Sequence, residues 1–352
     1  MNREPALKNR FRNIVNRIEK VGIDALVLTK SPNVVYLSGG EFVGSSIAVI
    51  GRNGIFDLIV SILDVEGYES PGNWVRIRTV NKGEKYSDKL AESLLEVGAT
   101  YVELDDIGCQ MHELLRKRTN ALLRSGNRFV EEARAVKDEL ELELIREAGR
   151  LTKLSFESVE SVLKPGVKEV EIAAEAEFAA RKRGADGMAF QTLVASGWRS
   201  AIPHATASRK VVETGDVVVV DMGVKYQGYC FDMTRTFKVG KIDARLERLF
   251  QSVLEAHSLA VGLIKADVAA KELERTVVEY FEREKVKEFY THSLGHGVGL
   301  EVHEDPNLSL DSNYNLAVGN VITIEPGLYV KGLGGVRHEN VISVGEDKAI
   351  FL

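Results

Sequence analysis

Four carboxylates sit in the most apolar stretches of this 352-residue chain. Val217-Val218-Val219-Val220 runs straight into Asp221, and Asp232 follows within Phe231-Asp232-Met233-Thr234-Arg235. Ile322-Thr323-Ile324 runs into Glu325, and Glu339 follows within Val336-Arg337-His338-Glu339-Asn340-Val341. Short apolar runs rich in β-branched residues read as buried strands. A carboxylate carried into such a strand needs a shared proton, a cation or another polar partner. The fold must therefore gather these strands around charge as well as around apolar side chains.

The turns between them set the expected pairing. Tyr226-Gln227-Gly228 is a good turn, and a two-residue loop at Tyr226-Gln227 would place Asp221 directly opposite Asp232. Facing residues in a hairpin have Cβ atoms about 4.5–5.5 Å apart, where like charges repel. Read alone, this pair is more readily one exposed aspartate and one turn-capping aspartate, since buried unpaired charge is rare. In the second pair, Lys331-Gly332-Leu333-Gly334-Gly335 forms a glycine-rich tip, and folding about Gly332 brings Glu325 opposite Glu339. The repetition favours a cation. Gly295-His296-Gly297-Val298-Gly299 supplies a nitrogen donor where glycines permit close backbone approach. Asp221, Asp232, His296, Glu325 and Glu339 can bind two divalent ions if two carboxylates bridge. Oxygen-rich ligation with one imidazole suits Mn²⁺, Co²⁺ or Zn²⁺ without choosing among them. Such a pair activates water and polarises a carbonyl.

Thr234, Thr323 and Arg337 each stand two residues from a candidate ligand, so each shares its face. They could orient the carboxylates by hydrogen bonds, although β-propensity explains the threonines equally well. His338 alternates with Glu339 and should face away. His292 and His303 bracket His296, and His204 follows Pro203; each reads equally as a site or a core histidine. His112 and His257, in polar helical contexts, should lie on the surface. Cys230 reads as an inert structural thiol, disfavoured as a thiolate by nearby carboxylates.

The chain's length suggests about two domains. The first third alternates strands and helices (residues 6–22 helical, 24–29 a strand, 36–40 a turn, 110–123 a helix), an α/β rhythm. Residues 131–160 read as one long amphipathic helix, and the boundary is placed at its start, giving domains 1–133 and 134–352. A helix pair followed by a hairpin then occurs twice, suggesting two pseudo-equivalent halves. With 46 basic and 52 acidic residues the net charge is −6, which argues against coating nucleic acid. No apolar run is long enough to cross a bilayer. Two cysteines and no apolar N-terminal leader point to the cytoplasm.

The constellation resembles the Xaa-Pro peptidase group of the pita-bread metallopeptidases, the proline dipeptidases and aminopeptidases P. It is carried by Val220-Asp221-Met222-Gly223, Asp232-Met233-Thr234-Arg235-Thr236, the run from His292 to Glu304, Ile324-Glu325-Pro326-Gly327 and Arg337-His338-Glu339. Gly22-Ile23-Asp24-Ala25-Leu26 and Tyr36-Leu37-Ser38-Gly39 are similar to the family's creatinase-like N-terminal domain. The resemblance implies an α/β (α+β) chain: a creatinase-like α/β domain, then a pita-bread domain with a pseudo-twofold antiparallel sheet. It implies that Asp221, Asp232 and Glu339 hold one metal, and that Asp232, His296, Glu325 and Glu339 hold the other. It implies small peptides with proline second as substrates, His204 and His303 as substrate contacts that steady the tetrahedral intermediate, His292 lining the pocket and Glu325 shuttling the proton. It also implies a homodimer. Where strict dipeptidases usually carry an arginine for the substrate carboxylate, this chain has Asn307, which favours longer peptides as well. Two alternatives stand beside it: methionine aminopeptidase-like removal of another N-terminal residue, and a non-catalytic peptide-binding relative.

Overall fold

The computed structural model describes residues 3–40, 44–68, 72 and 74–352. The chain divides into two compact units, Met1–Arg134 and Ala135–Leu352.

In the first unit, helix α1 (Glu4–Val21) begins with Pro5 in its first turn and ends at Gly22, whose φ of 75° forms a left-handed cap. Strand β1 (Ala25–Leu28) follows, then α2 (Ser31–Ser38), β2 (Ser46–Gly51), β3 (Phe56–Ser61), β4 (Arg76–Val80), α3 (Tyr86–Val97), β5 (Tyr101–Leu104), α4 (Cys109–Arg118), β6 (Leu122–Ser125) and α5 (Phe129–Arg134). The strands form one mixed sheet in the order β4-β3-β2-β1-β5-β6. Its core packs Val27, Val49, Ile59 and Leu104 against Leu90, Leu94 and Leu115 of the helices. Two expectations are corrected here. The Tyr36–Gly40 stretch is mostly the end of α2, which Pro32 opens and Gly39 closes. The 110–123 helix stops at Arg118, and its tail is edge strand β6.

The second unit opens with α6 (Glu139–Val162) and α7 (Glu169–Lys182). The single helix expected over 131–160 is two, α5 and α6. Asp138 accepts from the Glu141 N–H at 3.0 Å, and Glu141 accepts from the Asp138 N–H at 3.1 Å. This reciprocal box starts a new helix where hydrophobic periodicity alone saw continuity. Short strands β7 (Gly187–Met188) and β8 (Leu193–Ser196) precede β9 (Val217–Asp221), β10 (Val224–Tyr226), β11 (Tyr229–Cys230) and β12 (Thr234–Lys238). After α8 (Ala244–Gly262) and α9 (Ala270–Arg283) come β13 (Gly295–Gly297), β14 (Glu304–Leu308), β15 (Val321–Ile324), β16 (Gly327–Val330), β17 (Gly334–Arg337), β18 (Asn340–Val344) and β19 (Ala349–Phe351). A helix pair leading into antiparallel strands thus occurs twice, with sheets β12-β9-β8 and β14-β13-β15-β18-β19. Val253, Leu273, Val277 and Phe281 from α8 and α9 pack on Ile322, Ile324, Leu328 and Ile342. Among the described residues, no helix is long and apolar enough to cross a membrane.

Candidate metal centre

The aspartates arrive on the first hairpin. Its tip is Gln227-Gly228, with φ of 47° and 87°, and Tyr226 pairs with Tyr229. Positive φ at both central positions favours a glycine in the loop, so the turn sits one residue later than Tyr226-Gln227. The register moves by two, and Asp221 faces Thr234 rather than Asp232. An even shift leaves both aspartates on one face, side by side diagonally.

The glutamates arrive on the second hairpin. Gly327 pairs with Arg337 on one side of them, and Ile324 pairs with Asn340 on the other. Both ladders share one register, which sets Glu325 opposite Glu339.

His296 comes from β13, threaded between β14 and β15. A Cβ at Gly295 would overlap the Thr323 carbonyl, and one at Gly297 would overlap that of Asp305. Only glycine permits this approach on both sides. The His296 N–H donates to Thr323 Oγ1 at 3.0 Å, and Nδ1 donates to the Gly297 carbonyl at 3.1 Å. That hydrogen bond fixes the tautomer with a free lone pair on Nε2, which lies 3.3 Å from Glu325 Oε1 and 3.9 Å from Asp232 Oδ2.

Ligating atoms of Asp232, His296 and Glu339 all lie within 4.8 Å of one another. Asp221, Asp232 and Glu339 are buried. Burial, reinforced by Glu339, Asp221 and Glu325, pushes the Asp232 carboxyl far above the ordinary range. Burial, with Asp221 adding and Arg337 opposing, pushes Glu325 to about 8. Burial, with Glu325 and Asp221, does the same to Glu339. Asp221 Oδ1, Asp232 Oδ1 and Glu339 Oε1 are buried without a hydrogen-bond partner. Acceptor oxygens left bare in a crowded anionic cage are what a divalent cation would coordinate, so the donor set fits the metal.

Side chains behind the cage hold it in place. Thr234 Oγ1 donates to Glu339 Oε2 at 2.7 Å and accepts from Arg337 Nε at 3.1 Å. Arg337 Nη2 donates to Asp221 Oδ2. Tyr329, which sequence reasoning passed over, accepts from Arg337 Nη1 at 2.8 Å and donates to His292 Nε2 at 2.9 Å. Parity could have found it, because Tyr329 stands four residues from Glu325. Arg235 was also missed; its guanidinium donates to the Thr234 and Glu339 carbonyls.

The histidines separate into two groups. The His303 ring meets His296 edge to face, with centroids 4.1 Å apart. His204 is exposed beside Pro203, whose carbonyl accepts from Arg337 Nη1 at 3.3 Å. His338, in the short link between β17 and β18, packs edge-on against His257 at 4.8 Å. His257 is therefore buried, not on the surface. It stands one helical turn beyond Val253, on the apolar stripe of α8. Burial and the Arg235 charge lower His257 to about 4; with His257 itself, they lower His338 to about 3.

The chain matches known proteins along most of its length. The family description "Metallopeptidase family M24" matches residues 143–346, and "Creatinase/Prolidase N-terminal domain" matches residues 10–136. An Xaa-Pro dipeptidase of Pyrococcus horikoshii is 34% identical over 96% of this chain and 95% of its own length. The solved Xaa-Pro dipeptidase from Bacillus anthracis is 32% identical with a TM-score of 0.92, covering 98% of this chain and 97% of that one. The X-Pro aminopeptidase from Thermotoga maritima is 35% identical with a TM-score of 0.86, covering 95% and 97%. The chain thus belongs to metallopeptidase family M24 and combines a creatinase/prolidase N-terminal domain with a pita-bread catalytic domain.

Proposed function

We propose that this metallopeptidase hydrolyses the bond between an N-terminal residue and proline, using two divalent ions. The observation that carries the reading is the convergence of Asp232, His296 and Glu339, with carboxylate oxygens left unpartnered in a buried cage. Asp221, Asp232 and Glu339 would hold one ion, and Asp232, His296, Glu325 and Glu339 the other, with Asp232 and Glu339 shared. Mn²⁺, Co²⁺ and Zn²⁺ all suit these donors. When bound, the ions supply Lewis acidity to the scissile carbonyl and lower the pKa of water. His204 and His303 contact the substrate carbonyl and steady the charge that develops on its oxygen. The Glu325 carboxylate takes a proton from the attacking water and returns it to the proline nitrogen as the C–N bond breaks. His292 lines the pocket, while Thr234, Thr323 and Arg337 orient the ligands.

Xaa-Pro substrates are the shared element in the names of relatives from both the dipeptidase and aminopeptidase branches. Asn307, exposed on β14, offers no cation to a substrate carboxylate. Xaa-Pro-Yaa tripeptides should therefore be cleaved at least comparably to Xaa-Pro dipeptides. The working form would be a cytoplasmic homodimer. The test is a kinetic panel of Xaa-Pro, Xaa-Pro-Yaa and Met-Ala peptides, run after chelation and again after adding each metal. Chelator-insensitive hydrolysis would sink the metal mechanism, and a preference for Met-Ala would move the chain to another activity.

A further inference from the structure

The segment carrying His204 has little ladder of its own, yet it is tied at both ends to one side chain. Glu169, the first residue of α7, is fully buried. Its Oε1 accepts from Ser196 N at 2.7 Å and Ser196 Oγ at 2.9 Å. Its Oε2 accepts from Ser208 N at 3.0 Å, Ser208 Oγ at 2.6 Å and Arg199 Nη1 at 3.2 Å. The helix start adds backbone ties, from Glu169 N to the Lys210 carbonyl and from Val170 N to the Ser208 carbonyl, both at 3.0 Å. Arg199 also reaches the Thr206 carbonyl at 2.9 Å. The middle of the segment docks on β17: Gly335 N donates to Ser200 Oγ at 2.8 Å, and Arg337 donates to the Pro203 carbonyl. His204 is thus held between a carboxylate clamp and the strand whose Arg337 grips Asp221.

We infer that Glu169 is a positioning residue, a buried clamp that fixes the 196–208 segment so that His204 meets the substrate at the metal centre. A buried carboxylate needs charge-assisted donors, and here every donor comes from this one segment. Five bonds from three residues make its shape a single solution. The inference rests on the reading of His204 as a substrate contact.

The test is a double-mutant cycle on the metal-loaded enzyme with an Xaa-Pro substrate. His204→Ala alone should lower kcat/KM; if it does not, the reading of His204 fails and the clamp's purpose fails with it. Glu169→Gln should lower kcat/KM on the order of 10²-fold, the cost of a displacement of about 1 Å, with bound metal unchanged. In the His204→Ala background, Glu169→Gln should add no more than about twofold, because both changes act through one group. Equal losses in both backgrounds, or loss of metal with Glu169→Gln, would overturn the inference while leaving His204 a substrate contact. Should Glu169→Gln not fold, Ser208→Ala removes one donor and runs the same cycle. A several-fold loss that vanishes without His204 supports the clamp; a loss that persists overturns it.

Discussion

The two hairpins that deliver the carboxylates solve one problem with different geometry. The aspartate hairpin turns tightly at Gln227-Gly228 and sets its acids diagonally. The glutamate hairpin turns through Lys331–Leu333, with Gly332 at φ 79°, and sets its acids face to face. The shorter side chains sit diagonally and the longer ones oppose each other. Register and side-chain length together decide where oxygens gather, and only face parity is common to both.

The largest effect should come from removing a carboxylate that the proposed mechanism shares between both ions. Asp232→Asn on one hairpin and Glu339→Gln on the other should each abolish Xaa-Pro hydrolysis and lower bound metal, measured by elemental analysis. Retained turnover in both would refute the sharing of these carboxylates between two ions, and retention in only one would break the equivalence of the hairpins.

Next come the threonines. Thr234 bonds Glu339 and Arg337, so it ties the two hairpins together. Thr323 bonds the His296 backbone and sits beside Glu325. Thr234→Val should weaken metal affinity or activity by about 10–100-fold, and Thr323→Val by less. Titration of the metal-free enzyme checks the ranking, and the reverse order would move the hub to the second hairpin.

Acidity distinguishes the bare from the loaded cage. In the metal-free fold Glu325 and Glu339 hold protons up to about 8, against an ordinary 4.5. Folded-state affinities raised in this way contribute stability below the ordinary value that is lost as pH climbs through about 8. Metal removes that penalty, so the Tm gap between loaded and metal-free protein should widen from pH 5 to pH 8. Metal binding should also release more protons at pH 7 than at pH 9, as calorimetry in buffers of different ionisation enthalpy would register. A constant gap would indicate that the glutamates are ionised before metal arrives.

Smaller still is the turn. Gly228→Ala places a side chain at φ 87° and should cost about 1 kcal/mol of stability by denaturant titration. The smallest effect belongs to His338→Leu. Its ring faces His257 and not the ligands, so kcat/KM should hold within about twofold while the melting point shifts modestly. A large kinetic loss would mean that the back of the strand is felt at its front.

Much of this was legible in the sequence because strands have period two. Parity put Thr234, Arg337 and the acids on one face and His338 on the other, and it tolerated an aspartate register in error by two. Periodicity failed where a local hydrogen bond overrode it. The Asp138–Glu141 box split a continuous apolar stripe, and Pro32 with Gly39 made a helix of an apparent turn. His257 was misjudged from its polar neighbours although its spacing from Val253 marked the buried side. Glu169 was invisible for a different reason. Its partners Ser196, Arg199 and Ser208 lie 27 to 39 residues further along the chain, and nothing in local composition records where they would meet.

The bond between Tyr329 and His292 has a consequence for how a peptide can be handled. The other His292 nitrogen donates to the Ser293 carbonyl at 2.8 Å, so both ring nitrogens are already engaged. Burial, which outweighs that bond, lowers its pKa to about 4, so the ring is neutral near pH 7. His292 has neither a proton nor a lone pair to spare for an incoming ligand. If His292 lines the pocket as proposed, what it offers is contour: a flat wall, held by Tyr329 and Ser293, against which a rigid five-membered ring could lie.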